Sequence, residues 1–217
     1  MTLDLFADLE QHTPWLEDLC PGAAILRRFA LADADKLLTA VHNITAQASF
    51  RHMQTPGGLR MSVAMSNCGA LGWVSDRSGY RYTATDPESG QPWPRMPGAF
   101  LKLACDSATA AGFDNFVPDA CLINRYEPGT RLSLHQDKNE RDFNAPIVSV
   151  SLGIPAVFLF GGLRRTDKAL RVPLMHGDVV VWGGPTRLRF HGVLPLKPAV
   201  HEVVGECRIN LTFRKAG

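Results

Sequence analysis

After Pro118 the chain is cut into runs too short for helices, and this segmentation constrains the fold more than any other feature. Eight runs read as strands: 120–126, 131–137, 146–152, 155–160, 170–173, 179–182, 187–191 and 206–214. The separators are turn-formers, among them Pro128-Gly129, Gly161-Gly162, His176-Gly177 and Gly183-Gly184-Pro185. Short strands at this spacing predict an antiparallel sandwich or jelly roll. The last run is the most regular. Arg208, Asn210, Thr212 and Arg214 face one way, and Ile209, Leu211 and Phe213 the other. Its polar face is either a solvated outer surface or the lining of a polar interior. In the second case the two arginines can clamp the ends of a dicarboxylate, because the planar guanidinium fork bonds carboxylate bidentately.

Upstream the pattern is mixed. Residues 1–20 read as an irregular arm carrying Leu3, Leu5, Phe6, Trp15 and Leu16. Pro21-Gly22 introduces a strand over Ala23–Phe29, followed by a helix from Asp33 to Ala48 with Asp33 as N-cap. Met61–Ser66 alternates as a half-buried strand does. The stretch GALGWVSDRSGYRYT sets Trp73, Tyr80 and Tyr82 among glycines and polar residues, which fits a packed hairpin and a stacking surface equally. A second helix is predicted over Pro97–Gly112, with a stripe of Phe100, Leu101, Ala104, Ala108 and Ala111 and with Gly112 closing it. The organisation expected is an arm (1–20), supporting helices with the aromatic segment (21–116) and a β core (117–217), all in one compact unit.

Bulk properties exclude more than they assign. A hydrophobic fraction of 45% with 20% charged residues is that of an ordinary soluble globular protein. A net charge of +2 permits a nucleic-acid partner only through a local patch, for which Arg164, Arg165, Lys168 and Arg171 are the candidate phosphate contacts. The five cysteines contain no CxxC pair, so they read as reduced thiols of a cytosolic protein, and a structural zinc site is not expected. There is no signal peptide and no apolar run near the roughly 20 residues that span a bilayer, so a cytoplasmic location is expected.

The candidate chemistry begins at His135-Gln136-Asp137. On an extended strand both side chains share a face, supplying two of the three ligands of the 2-His-1-carboxylate site used by non-haem Fe(II) oxygenases. By itself an HxD is weak evidence, because chance readily supplies one and the chain holds two. His176-Gly177-Asp178 reads instead as a turn, with glycine for conformational freedom and Asp for local backbone bonds. His191 is the best third ligand, on the polar face of RLRFHG, while His201 sits in a proline-flanked loop and ranks below it.

Taken together, PDACLINRYEPG, LSLHQDKNE, PIVSVSLG, FGGL, HGDVVVWGG, FHGV and CRINLTFR, with TPGG, MSVAMSNCG and LGW upstream, are highly specific. Through them the chain resembles the bacterial AlkB family of Fe(II)- and 2-oxoglutarate-dependent dealkylating dioxygenases, from about residue 20 onward. The resemblance implies a mainly β (α+β) double-stranded β-helix, or jelly roll, with two supporting helices and an N-terminal nucleotide-recognition lid. It implies Fe(II) held by His135, Asp137 and His191, with 2-oxoglutarate and O2 as cosubstrates. Arg208 would pair with the distal carboxylate of 2-oxoglutarate, near Tyr126 and Asn210, and Asn124 and Arg214 would serve the keto-acid end. Trp73, Tyr80, Tyr82 and Arg165 match positions that contact the damaged base or its backbone, which turns the aromatic segment into the lid.

Asn139 is a departure: the bacterial pattern has an acid there, able to bond the exocyclic amine of a methylated base, so base selectivity is in question. The implied activity is oxidative demethylation of 1-methyladenine- and 3-methylcytosine-type bases in alkylation repair, with release of succinate, CO2 and formaldehyde. Single-stranded DNA is the expected substrate, duplex being reached by base flipping and RNA a second candidate, for a monomer with no obligate protein partner and no membrane. Two alternatives are a related oxygenase acting on modified RNA, protein or lipid, and a non-catalytic metal-binding jelly roll. The paired arginines weigh against the last.

Overall fold

The computed structural model describes residues 13–217 and contains two facing antiparallel sheets with a helical layer on one side. The strands are β1 (Trp15–Cys20), β2 (Ala23–Arg27), β3 (Ala64–Gly69), β4 (Gly72–Asp76), β5 (Gly79–Thr83), β6 (Ala120–Tyr126), β7 (Leu132–His135), β8 (Ile147–Gly153), β9 (Ala156–Phe160), β10 (Leu170–Leu174), β11 (Val179–Trp182), β12 (His191–Val193) and β13 (Arg208–Arg214). The larger sheet runs β1-β2-β11-β8-β13-β6-β3 and the smaller β10-β9-β12-β7, while β4 and β5 form a separate hairpin. This is the predicted jelly roll. The larger sheet takes β1, β2 and β3 from upstream of residue 117 and the rest from downstream, so the two parts share one sheet.

Both faces of the larger sheet are covered. Helices α1 (Ala34–Thr45) and α2 (Gly98–Ala110) pack Leu37, Val41, Ile44, Phe100, Leu103 and Ala104 onto the face carrying Ile209, Leu211 and Phe213. The opposite face meets the smaller sheet through Tyr126, Ile147 and Trp182 against Phe158, Phe160, Val172 and Val193. Every residue of β13 is therefore buried, and its polar face looks between the sheets, not into solvent. At roughly 25 cal/mol per Å² of apolar surface, a two-sided core of this kind dominates the folding free energy.

Several local expectations need correction. Residues 15–20 form no irregular arm: β1 pairs with β2, from Trp15 opposite Arg27 to Cys20 opposite Ala23. Leu3, Leu5, Phe6 and His12 lie outside the described residues. Asp33 sits at the N-cap of α1 without a capping bond, because it ends the 3-10 segment Leu31–Asp33 with φ −105° and ψ 3° rather than the extended backbone of an N-cap. Its carboxylate accepts from Lys36 Nζ at 3.0 Å instead. The buried face of α2 is Phe100, Leu103, Ala104, Ser107 and Ala108, while Leu101 stays exposed at the edge of that arc. The strand expected at 61–66 begins at Ala64 and is buried on both faces, so its alternation carried no in–out information. The strand expected at 187–191 is largely a turn, with a 3-10 segment Gly184–Thr186 and the strand starting only at His191.

Candidate active site

β7 and β12 are paired so that His135 stands opposite His191, with ring centroids 4.3 Å apart. The approach depends on Gly192, where a Cβ would lie 2.6 Å from the Leu132 carbonyl oxygen. β7 ends at His135, so Asp137 reaches the site from the loop beyond it rather than along the strand. His135 Nε2 lies 3.5 Å from Asp137 Oδ1, and His191 Nε2 lies 3.8 Å from Asp137 Oδ2. One ligand atom from each of the three residues falls within 4.8 Å of the others, close enough to share one ion.

The backbone sets the tautomers. His135 Nδ1 meets the Ser133 carbonyl at 2.9 Å and His191 Nδ1 meets the Arg189 carbonyl at 3.1 Å. A carbonyl can only accept, so each Nδ1 carries the proton and each Nε2 presents a lone pair. Burial, helped by the neighbouring His135, pushes the His191 pKa down to about 3, which keeps that imidazole neutral. Burial opposes ionisation of Asp137, but the Arg214 guanidinium beside it outweighs that and holds the carboxyl below its usual range. Two neutral nitrogens and one carboxylate with room beside them make the donor set that suits Fe(II).

Next to this cluster lies a polar wall. Arg208 pairs with Tyr126 and Asn210 with Asn124 across β13 and β6. Asn124 Nδ2 donates to Asn210 Oδ1 at 3.2 Å, and Asn210 Nδ2 donates to Ser149 Oγ at 2.9 Å. Arg208 is 1% exposed, donates from one terminal nitrogen to Ser151 Oγ at 2.8 Å and lies 5.0 Å from the centre of the Tyr126 ring. Its Nε and remaining terminal nitrogen make no well-aligned hydrogen bond among the described residues, although the Tyr126 hydroxyl interacts with the guanidinium, and Asn124 Oδ1 accepts none. Burial lowers the Arg208 pKa. A buried guanidinium with idle donors is costly unless an anion completes it. A carboxylate of 2-oxoglutarate meets that requirement.

Arg214 is already engaged, with Nε and a terminal nitrogen 2.7 and 2.6 Å from Asp137 Oδ2. Its direct partner is thus the metal-binding carboxylate, a contact its expected keto-acid role did not include. The β4–β5 hairpin stacks Trp73 on Tyr80, with centroids 5.7 Å apart and planes 15° apart, and leaves Tyr80 45% exposed. Tyr82, opposite Trp73, donates its hydroxyl to Glu140 Oε1 at 2.6 Å, and burial raises its pKa well above the ordinary tyrosine value. The aromatic segment is a hairpin anchored on the metal-site loop. Asp76 closes it by accepting two bonds from Arg81, at 2.9 and 2.7 Å.

Other candidates fall where their chemistry suggests. Arg165 is exposed on the β9–β10 turn with its guanidinium carbon 5.9 Å from the Phe190 ring centre, and Arg164, Lys168 and Arg171 are exposed around it. Asn139 is exposed, and its neighbour Glu140 joins Asp137 as a second buried acid of that loop. His176-Gly177-Asp178 is the predicted turn: Gly177 has φ +86°, and the Asp178 carboxylate accepts from the Arg28 and Met175 amides. The His201 ring centre lies 4.2 Å from that of His176, the planes tilted by 32°, and His201 does not join the triad. Sequence reasoning missed Glu140 and Arg187, both buried ion-pair partners, because one acid in a polar loop and one arginine in a turn carry no periodic signal.

Comparison with known proteins agrees with this geometry. The family model of the 2OG-Fe(II) oxygenase superfamily matches residues 22–214. The chain is 58% identical over 215 residues to alpha-ketoglutarate-dependent dioxygenase AlkB of Escherichia coli K12, covering 99% of this chain and 98% of the relative. It is 35% identical over 174 residues to DNA N(6)-methyladenine demethylase ALKBH1C of Arabidopsis thaliana, covering 68% of this chain and 38% of the relative. The solved structure of OsALKBH1 superposes with a TM-score of 0.81 at 30% identity, covering 93% of this chain and 100% of that one. The chain therefore belongs to the 2OG-Fe(II) oxygenase superfamily and, within it, to the bacterial AlkB family of Fe(II)- and 2-oxoglutarate-dependent dioxygenases.

Proposed function

We propose that this chain removes methyl groups from N-alkylated bases of the 1-methyladenine and 3-methylcytosine type in single-stranded DNA, as an alkylation-damage repair enzyme. The observation that carries the reading is the buried Arg208, with unpartnered donors, on the polar wall beside the His135–Asp137–His191 cluster. His135 and His191 hold the iron through Nε2 and Asp137 through its carboxylate. Arg208 receives the distal carboxylate of 2-oxoglutarate, with Tyr126 packed on the guanidinium and Asn210 beside it. Asn124 and Arg214 complete the wall toward the keto-acid end. Iron with 2-oxoglutarate and O2 supplies the oxidation, in which 2-oxoglutarate becomes succinate and CO2 and the N-methyl group leaves as formaldehyde.

The chain's other residues select and hold the substrate. A target base must leave its stack, which costs a few kcal/mol and least in a single strand. Stacking on Trp73 or Tyr80 returns about 1–3 kcal/mol of this. Tyr82 fixes the hairpin to Glu140, and Arg165 with its basic neighbours on the β9–β10 turn meets the phosphates. Asn139 offers a neutral amide where an acid would bond an exocyclic amine, so it weakens discrimination among bases. No described helix is long and apolar enough to cross a membrane. The five free thiols fit a cytoplasmic enzyme, and we take it to act as a monomer without an obligate protein partner.

The test is anaerobic addition of Fe(II) and 2-oxoglutarate, followed by O2 and a methylated oligonucleotide. A charge-transfer absorption and then stoichiometric formaldehyde are expected, with more from single-stranded DNA than from matched RNA. Folded protein giving neither signal would refute the assignment, and preference for RNA would redirect the substrate.

A further inference from the structure

We propose that Arg187 is a positioning residue of the metal centre, pinning the loop that carries Asp137 to the segment that carries His191. Arg187 is 2% exposed, and each nitrogen of its fork faces the loop, two through hydrogen bonds and one through an ion pair. Nε donates to the Ala145 carbonyl at 3.1 Å, and one terminal nitrogen donates to the main-chain carbonyl of Asp137 at 2.8 Å. The other terminal nitrogen lies 3.2 Å from Glu140 Oε2, and the guanidinium carbon sits 5.5 Å from the Phe143 ring centre. One side chain therefore touches the loop at 137, 140, 143 and 145, and it stands four residues ahead of His191.

The loop needs such a brace. Residues 136–146 contain no helix or strand, yet Asp137 must hold a ligand position set against two strand-borne histidines. Loops depend on side-chain anchors because their backbone bonds are not closed by a ladder. Arginine suits the task because its rigid fork offers five donors in fixed directions, which lysine cannot reproduce. Glu140 makes the brace an ionic one: its Oε2 faces Arg187 as an ion pair without a hydrogen bond, while its Oε1 accepts from the Tyr82 hydroxyl at 2.6 Å and lies 3.5 Å from Arg214 Nε. Two arginines thus balance two acids, Asp137 and Glu140. Removing Arg187 would free Glu140 to compete with Asp137 for Arg214, so the ligand would lose its main-chain anchor and part of its charge partner together.

The inference rests on His135, Asp137 and His191 being the metal ligands, and its test separates the two claims. Co(II), a redox-stable probe whose visible absorption reports ligand geometry, is titrated into the wild type and into Arg187→Lys, Arg187→Met and the Arg187→Met/Glu140→Gln double variant. Melting temperature is followed in parallel without metal. The single Met variant strands Glu140 and should melt early, and the double variant should recover that loss by removing the unpaired charge. Co(II) affinity should not recover with it. It should stay about 10- to 100-fold below wild type, the usual cost of losing an outer partner of a metal ligand, with an altered absorption band. Lysine should give an intermediate affinity. Wild-type affinity and spectrum in the double variant and in Arg187→Lys would overturn the proposal. A wild type that binds no Co(II), or binds it undiminished in His135→Ala, would overturn the ligand assignment and this inference with it.

Discussion

His135 and His176 stand in the same HxD pattern and do opposite things, and the difference lies in the atom each ring offers to the backbone. His135 Nδ1 faces a carbonyl, which places the proton there and frees Nε2 for a metal. His176 Nδ1 lies 2.9 Å from the Gly153 amide, which must donate, so the ring proton is on Nε2 and no lone pair faces outward. His135→Ala should therefore lower metal affinity by more than about 100-fold, since even outer partners cost 10–100-fold, while His176→Ala keeps it. Equal loss in two folded variants, measured by Co(II) titration, would mean that the copies were misassigned. If Arg208 holds the cosubstrate as proposed, Arg208→Lys exchanges a fork for a point charge. Losing a charge-assisted bond of about 1.5–3 kcal/mol should raise the KM for 2-oxoglutarate roughly 10- to 100-fold at saturating Fe(II). An unchanged KM, read from succinate formation, would remove Arg208 from the site.

At the scale of elements, legibility followed burial. The alternation of β13 marked its two faces correctly, because Ile209, Leu211 and Phe213 meet the helices while Arg208, Asn210 and Arg214 line the site. Whether that polar face met solvent was not written in seven residues, since it depends on the smaller sheet packed over it. His191 was selected by an alternation that the chain does not have there: 187–190 is a turn, and the histidine reaches the site through its pairing with β7. Asp76 had no reading in sequence because its partner, Arg81, is found only once the hairpin folds back. The loop before β13 gives an element-scale prediction. There His201 Nδ1 accepts from the Val203 and Val204 amides, at 3.2 and 3.3 Å, and its ring packs at a tilt against His176. Burial first, then His201, lower the His176 pKa, against a smaller opposing pull from Asp35 and Glu202. The folded state thus binds the proton less readily than the unfolded chain. The contribution is complete above the ordinary histidine value of about 6.5 and fades as pH falls below it. In metal-loaded protein, where His191 is held by the ion, His176→Gln should flatten the decline of melting temperature between about pH 7 and 5. Parallel curves for the two proteins would refute it.

For the whole molecule, the jelly roll buries a charged interior that is complete only when its ligands are present. Arg208 carries idle donors, and Asp137 shares Arg214 with a competing Glu140. Iron and 2-oxoglutarate should therefore bind the native state far better than the unfolded chain and raise its stability by mass action. At a ligand concentration of about 100 times Kd the gain is about 2.7 kcal/mol. For a domain of this length each kcal/mol moves the midpoint by about 2–4 °C, so a rise of roughly 5–10 °C is expected per ligand. The increments should be separable. Mn(II), which is not oxidised in air, should raise the melting temperature of wild type and of Arg208→Met alike, because the metal ligands are intact in both. Addition of 2-oxoglutarate should then raise only the wild type, and a chelator should remove both increments together, because the keto acid is held through the metal. Arg208→Met should also melt no earlier than wild type when both are free of ligand, since it removes a buried charge with two nitrogens lacking a hydrogen bond, at the cost of one bond to Ser151. If 2-oxoglutarate stabilised Arg208→Met as much as wild type, the cosubstrate would sit elsewhere, and the idle guanidinium would need another anion.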